Sequence, residues 1–126
     1  MLAVDTNVLV RLLVRDDAKQ AAAADAAVAK GAWVSQLVLA EVAWVLDAVY
    51  ERTPKQLIAA LDLLLVHESL VLQDADAVAA ALAQFRAKPA LGFSDCLVLE
   101  IARKAGHLPL ATFDKALSRV AGAHRL

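Results

Sequence analysis

The chain has little of what supports disulfide frameworks, flexible linkers or membrane spans. Cys96 is the only cysteine among 126 residues, which excludes an intramolecular disulfide and a cage of thiolates around a metal ion. There are only 4 glycines and 3 prolines, and no repeat or linker is evident. No uncharged apolar run approaches the roughly 18 residues of a membrane-spanning helix, and "MLAVDTNVLV" has no basic flank like that of a signal peptide. These features predict one domain over residues 1–126, with no membrane segment and a cytoplasmic location.

Apolar residues, by contrast, are abundant. They make up 60% of the chain, with many alanines, leucines and valines, which is typical of a helix-rich globular protein. On so short a chain this composition leaves apolar surface to cover, so we expect a partner subunit. The formal net charge of −1 argues neither for nor against binding to nucleic acid.

Short apolar segments alternate with segments of helical periodicity. Strands are predicted over residues 1–5, 32–35, 70–73 and 108–113, and the last helix over 115–121. "TPKQ" at 53–56 has the pattern of a capping box with proline at the first helical position. Alternation of this kind predicts parallel strands joined by right-handed crossovers. The predicted fold class is α/β, a three-layer α/β/α sandwich with a central parallel sheet of four to five strands.

Glu41 is the only charged residue between Lys30 and Asp47, within the run "LVLAEVAWVL". Because the run is otherwise apolar, we expect Glu41 to be buried. A buried carboxylate without a partner costs several kcal/mol or more, so such a group is paired, protonated or bound to a metal ion. A salt bridge to a nearby arginine or lysine is the simplest alternative to a metal.

Three further acids stand where a site could form. Asp5 and Asp114 follow the first and the fourth predicted strands, and Asp95 opens a helix. Ligands gather at the carboxyl ends of parallel strands, so all three could converge with Glu41. Each of the three could instead simply cap a helix.

Four converging carboxylates would repel one another unless a cation lay among them. Mg²⁺ and Mn²⁺ prefer oxygen ligands and bind phosphoryl oxygens, so hydrolysis of a phosphodiester by a metal-activated water is the predicted chemistry. The other ten acids, Glu100 among them, are interpreted as ordinary surface. The chain has 13 lysines and arginines, more than these ten acids, and this balance of charge is compatible with a polyanionic substrate. Four of these bases are expected near the site, although each taken singly is more simply a solvated surface residue: Arg11, Arg15, Lys115 and Arg119.

These motifs together resemble the PIN domain. The resemblance lies in "VDTNVLV" at 4–10, Glu41 within "VSQLVLAEV" at 34–42, "FSDCLVLEIA" at 93–102 and "LATFD" at 110–114, and it is nearest to the VapC-type toxins of bacterial toxin–antitoxin pairs. It implies an α/β/α sandwich, a Mg²⁺- or Mn²⁺-dependent endoribonuclease, a homodimer and inhibition by a cognate antitoxin protein. The metal-binding acids would be Asp5, Glu41, Asp95 and Asp114. Polar positions supporting them by hydrogen bonds would be Thr6, Asn7, Ser94 and Thr112.

Other residues are interpreted against this background. Cys96 stands where the family often has a small residue, and we interpret it as a buried small hydrophobe rather than a reactive thiol. Trp33 and Trp44 could stack on bases, but core or dimer-interface packing is preferred. The three histidines lie away from the motifs.

Two alternative functions remain open. One is a PIN-domain nuclease that processes RNA without an antitoxin. The other is a signalling receiver domain that binds Mg²⁺ and accepts phosphate on an aspartate. The second would need Asp74 as the acceptor and would leave Glu41 without a role.

Overall fold

Strands and helices alternate through the computed structural model, which describes residues 1–126. In chain order the elements are β1 (Leu2–Ala3), α1 (Thr6–Val14), α2 (Ala18–Val28), β2 (Ala32–Val34), α3 (Gln36–Ala48), α4 (Pro54–Val66), β3 (Leu70–Leu72), α5 (Ala75–Ala87), a 3-10 helix (Pro89–Leu91), α6 (Phe93–Ala105), β4 (Leu110–Thr112), a second 3-10 helix (Leu117–Arg119) and β5 (Ala123–Arg125). The chain divides into two compact units, residues 1–75 and 76–126. No helix is both long enough and apolar enough to cross a membrane.

The first unit is built on a three-stranded parallel sheet with the order β1-β2-β3. Ala32 of β2 pairs with Leu2 on one side and with Leu70 on the other. Both side chains of β2 that point into the core, Ala32 and Val34, are fully buried. Because the strands are parallel, the segments that follow them, including the one with Asp5, leave from the same edge of this sheet.

Side-chain caps begin the helices of this unit. Asp5, Asp17, Ser35 and Thr53 each accept a backbone hydrogen bond from the first turn of α1, α2, α3 and α4 respectively. The predicted capping box is confirmed: the Gln56 N–H donates to Thr53 Oγ1 at 3.2 Å, and the Thr53 N–H donates to Gln56 Oε1 at 2.9 Å.

Ion pairs at the end of α1 connect it to the residues that follow. Arg15 donates two hydrogen bonds to Asp25 on α2, at 2.9 and 2.7 Å, and these hold the pKa of that carboxyl below its usual value. Arg11 donates through Nη1 to Asp16 at 2.8 Å and to the Tyr50 hydroxyl at 3.3 Å. Both arginines that we expected near a site therefore have acidic partners within their own unit.

The second unit contains α5, α6 and the parallel strand pair β4–β5, in which Leu110 faces Ala123 and Thr112 faces Arg125. Phe85 of α5 and Phe93 of α6 meet edge to face, with ring centroids 6.4 Å apart. Such a contact buries a large apolar area in a defined geometry.

The prediction that Glu100 is ordinary surface is wrong. Glu100 is 7% exposed and accepts hydrogen bonds from Gln84 Nε2 at 2.9 Å and from Arg103 Nε at 3.1 Å. Arg103 also donates to the Ala121 carbonyl at 2.6 Å, and its guanidinium would have to shift to admit a Cβ at Gly122, which would lie 2.9 Å from Nη2. The i,i+3 spacing of Glu100 and Arg103 is the sequence feature that could have indicated their ion pair.

The prediction of a parallel α/β fold is confirmed, with two differences in detail. The five strands form a sheet of three and a separate pair rather than one sheet of four to five, and β5 had no counterpart in the sequence prediction. The predicted helix over 115–121 is only a 3-10 turn at Leu117–Arg119, because Gly122 at φ +96° and the short strand after it redirect the chain.

Candidate active site

Asp5 lies just after β1 and caps α1. Its Oδ1 accepts a hydrogen bond from the Val8 N–H at 3.3 Å, so the capping interpretation of this residue is correct. The carboxylate is exposed, and its Oδ2 accepts no hydrogen bond from the protein. Capping therefore fixes the side chain while leaving one oxygen able to bind a cation.

The expectation that Glu41 is buried is wrong. The buried stripe of α3 consists of Leu39, Val42, Ala43 and Leu46, and Glu41 lies on the exposed side of the helix. The sequence misled because this exposed side also carries large apolar residues, with Leu37 70% and Trp44 64% exposed. The desolvation argument for a bound metal at Glu41 therefore fails, and any role for this residue must be argued from its contacts.

The side chain of Glu41 is held by a threonine rather than by a lysine or an arginine. Thr6 Oγ1 donates to Glu41 Oε2 at 2.6 Å, and Glu41 forms no ion pair, so the salt-bridge alternative is also wrong. Since Asp5 directly precedes Thr6, this bond places the beginning of α1 beside Glu41. The Oε1 atom is left without a protein partner.

Asp114 affects the ionisation of Asp95 within the second unit. Asp95 lies in the first turn of α6 but does not cap it, since Gly92 occupies the cap position without a side-chain bond. The pKa of Asp95 is raised, first by partial burial and then by the negative charge of Asp114. Two carboxylates are thus close enough to repel, and neither forms an ion pair that would offset the repulsion.

Two hydrogen bonds fix the segment that carries Asp114. Thr112 Oγ1 accepts from the Asp114 N–H at 3.0 Å, and Asp114 Oδ1 accepts from the Leu117 N–H at 2.8 Å. As with Asp5, the second carboxylate oxygen makes no bond to the protein.

The four predicted supporting residues differ in what they contact. Thr6 and Thr112 make the bonds described above, whereas the side chains of Asn7 and Ser94 make no hydrogen bond. Asn7 instead lines a cavity between α1 and α2. Gln20, which the sequence did not single out, lines the same cavity; the signal that could have found it is its i,i+3,i+4,i+7 spacing with three alanines of α2.

The donor set suits a hard divalent cation. Carboxylate oxygens are the ligands that Mg²⁺ prefers, and this ion usually retains several waters and takes only one or two carboxylates from the protein. The structure contains no group of three or more His, Cys, Asp or Glu side chains that could hold a metal ion. The repulsion between Asp95 and Asp114 is the feature that a bound cation would relieve, so the residues present fit such an ion. The convergence of all four acids stays a prediction.

The interpretation of Cys96 as a buried small residue is confirmed. Its side chain is fully buried, and burial, followed by the charges of Asp95 and Glu100, raises the pKa of the thiol to about 11. A thiol of this kind is inert near neutral pH. Trp44 is 64% exposed and Trp33 is 38% exposed, so neither side chain is buried in the core; packing at a dimer interface, the other part of that prediction, stays a prediction.

Comparison with known protein families gives a match over nearly the whole chain. The family model of the PIN domain matches residues 2–123, nearly the whole chain. No curated protein and no solved structure matches at a significant level. The family that matches is therefore not that of signalling receivers. PIN domains are generally nucleases, enzymes that hydrolyse phosphodiester bonds. On this match, the chain belongs to the PIN domain family.

Proposed function

We propose that this PIN domain is a Mg²⁺- or Mn²⁺-dependent endoribonuclease and the toxin of a VapBC-type toxin–antitoxin pair. The proposed metal ligands are Asp5, Glu41, Asp95 and Asp114. The single observation that carries the metal part of the proposal is that the negative charge of Asp114 disfavours the ionised form of Asp95. A carboxyl whose pKa is raised by burial and by a neighbouring negative charge is a candidate for a functional site.

The residues around these acids orient them for one task. The Val8 N–H donates to one oxygen of Asp5, and the Leu117 N–H donates to one oxygen of Asp114. The Thr6 hydroxyl donates to one oxygen of Glu41. In each case the second oxygen stays available, so the acids are positioned without being neutralised. Partners of this kind fix the rotamer of a metal-binding carboxylate and so raise its affinity.

When bound, a divalent ion would activate the attacking water and stabilise charge on the phosphate. Attack by water on phosphorus needs no 2′-hydroxyl. The bond to the 3′-oxygen breaks, so the products carry 5′-phosphate and 3′-hydroxyl ends. Products with 2′,3′-cyclic phosphate ends would contradict this chemistry.

The partner proposals, a homodimer and a cognate antitoxin, are supported by exposed apolar side chains of the first unit. The first unit exposes several large apolar side chains on two neighbouring helices, among them Leu37 and Trp44 on α3 and Leu63 and Val66 on α4. Large apolar side chains left exposed on a folded domain are candidates for a surface that binds another protein. Coexpression tests the antitoxin directly: growth arrest caused by this chain should be relieved by the protein of a small neighbouring reading frame.

Cleavage of RNA by the purified protein tests the enzymatic proposal. A panel of single-stranded and structured RNAs would be incubated with Mg²⁺ or Mn²⁺, and in parallel with EDTA. Glu41→Gln should lower the rate of cleavage about 100-fold or more, whereas Asp47→Asn, which neutralises another exposed acid of α3, should leave it unchanged. The proposal fails if the folded wild type cuts no RNA, or if cutting persists in EDTA.

A further inference from the structure

A cavity of ≈ 390 Å³ lies between α1 and α2, entirely within the first unit. This volume falls within the range of about 300–1,000 Å³ that is common for small-molecule sites. Its lining residues are Asn7, Val8, Arg11, Gln20, Ala23, Ala24 and Ala27.

The lining residues follow from helix geometry. On α1 the cavity residues are spaced i, i+1 and i+4, and on α2 they are spaced i, i+3, i+4 and i+7, so each helix presents one stripe. The stripe on α2 is three alanines and one glutamine, and the space between the helices exists because these alanines are small. The Arg15–Asp25 pair described above connects the same two helices.

Three polar side chains at the cavity have hydrogen-bonding capacity that the protein does not use. The carboxamides of Asn7 and Gln20 make no side-chain hydrogen bond. Arg11 is anchored through Nη1 to Asp16 and Tyr50, which leaves the donors on Nε and Nη2 without protein partners. Because Asp16 offsets the charge of Arg11, the cavity is better suited to a neutral hydrogen-bonding group than to a second phosphate.

We propose that this cavity binds a purine base of the RNA substrate, next to the bond that is cut. This inference rests on the proposed nuclease function. Carboxamides pair with the N6 and N7 edge of adenine, and an arginine fork pairs with O6 and N7 of guanine, whereas the alanines and Val8 provide an apolar wall for the face of the ring. Asn7 is two residues from Asp5, so a base in the cavity belongs to a nucleotide near the proposed metal-binding acid.

Sequencing of the cut sites in a randomised RNA pool tests this inference. The wild type should prefer a purine at one fixed position beside the cut, and Gln20→Ala should reduce that preference about 5-fold or more, the discrimination that one good base contact supplies. Ala27→Leu, which fills the cavity, should act in the same way. Ala26→Leu is the matched control, because Ala26 is an exposed neighbour on α2 that does not line the cavity.

A second measurement separates failure of this inference from failure of the nuclease proposal. Amide chemical shifts of the metal-free, ¹⁵N-labelled protein would be followed during titration with adenosine, guanosine or uridine monophosphate. The purine nucleotides should shift the amide signals of Gln20 and Ala27 in the wild type. In Ala27→Leu the amide signal of Gln20 should not shift. If the wild type cuts RNA and Gln20→Ala keeps its base preference, or if uridine monophosphate shifts these amides as strongly, the inference is wrong. If the wild type cuts no RNA but the purine shifts occur, the nuclease proposal alone fails.

Discussion

At the residue scale, three of the four candidate acids use only one carboxylate oxygen within the protein. Asp5 and Asp114 accept a backbone N–H, and Glu41 accepts the Thr6 hydroxyl. A side chain held in this way loses rotamer freedom before any ligand arrives, so less of the binding free energy is spent on ordering it. The contact between Thr6 and Glu41 is the shortest of the three, at 2.6 Å.

Thr6→Val should weaken catalysis without unfolding the protein. Valine has the shape of threonine but cannot donate a hydrogen bond, so Glu41 would lose its fixed orientation. We expect cleavage to fall about 10- to 100-fold, as is common when the hydrogen-bond partner of a metal ligand is removed. The measurement is the initial rate against Mg²⁺ concentration. Thr6→Ser keeps the hydroxyl and should restore most of the rate; equal rates for Thr6→Val and wild type would show that the contact has no functional role.

Asp95→Asn should stabilise the metal-free protein. Because the folded state raises the pKa of Asp95, protonation favours folding, and the stability that depends on this proton is lost as the pH rises through the raised pKa. The advantage of the asparagine variant should therefore be smaller near pH 4 than at pH 7, where we expect it to have a higher Tm than the wild type.

Thermal unfolding in EDTA across this pH range checks that prediction. Asp47→Asn removes one negative charge from an exposed position and serves as the control. Addition of Mg²⁺ should shrink or reverse the advantage, because only the wild type keeps the full carboxylate pair. A lower Tm for Asp95→Asn at pH 7 in EDTA would contradict the account of this pair.

At the element scale, the helices were predictable where capping chemistry marks their ends. Thr53, Pro54 and Gln56 gave the start of α4, and Gly106, with φ +82°, ends α6 as a left-handed cap. The strands have only two or three residues each, too few for a two-residue alternation to be recognised. For that reason β5 was missed and the division into two sheets was not predicted.

Glu41 shows the same difficulty on a helix. Which side of α3 is buried could not be predicted, because both sides carry large apolar residues. The capping contacts of Asp5 and Asp114, in contrast, were anticipated from their positions before helices. Asp95, for which capping was equally expected, does not cap α6. Local rules therefore predicted two of these three capping contacts, whereas burial depends on what packs against each face.

The capping box provides a test at this scale. Thr53→Ala removes the acceptor for the Gln56 N–H and should lower the free energy of unfolding by about 1 kcal/mol. Urea denaturation followed by circular dichroism measures it. Thr53→Ser should be close to wild type, and Lys55→Ala, at an exposed position in the same turn, should change little. If Thr53→Ala left the free energy of unfolding unchanged, the capping box at the start of α4 would contribute little to stability.

At the scale of the whole molecule, the proposed acids are divided equally between the two compact units. Asp5 and Glu41 belong to residues 1–75, and Asp95 and Asp114 to residues 76–126. The family match spans both units, since it covers residues 2–123. The sequence motifs indicated nuclease chemistry because the segments that contain the four acids stand in the same order as the motifs of the PIN domain that they resemble. The resemblance also predicted supporting hydrogen bonds at Thr6 and Thr112, and the structure gives their partners, Glu41 Oε2 for Thr6 and the Asp114 N–H for Thr112.

The central claim is that these acids act together in one metal-dependent hydrolysis, and a double-mutant cycle tests it most directly. Initial rates of RNA cleavage at saturating Mg²⁺ would be compared for wild type, Glu41→Gln, Asp95→Asn and the double variant. Groups that act as a unit are strongly non-additive, so each single variant should lose about 100-fold or more and the double variant should be no more than a few-fold worse than the poorer single. Losses that multiply, or single variants that cut at the wild-type rate, would contradict the claim.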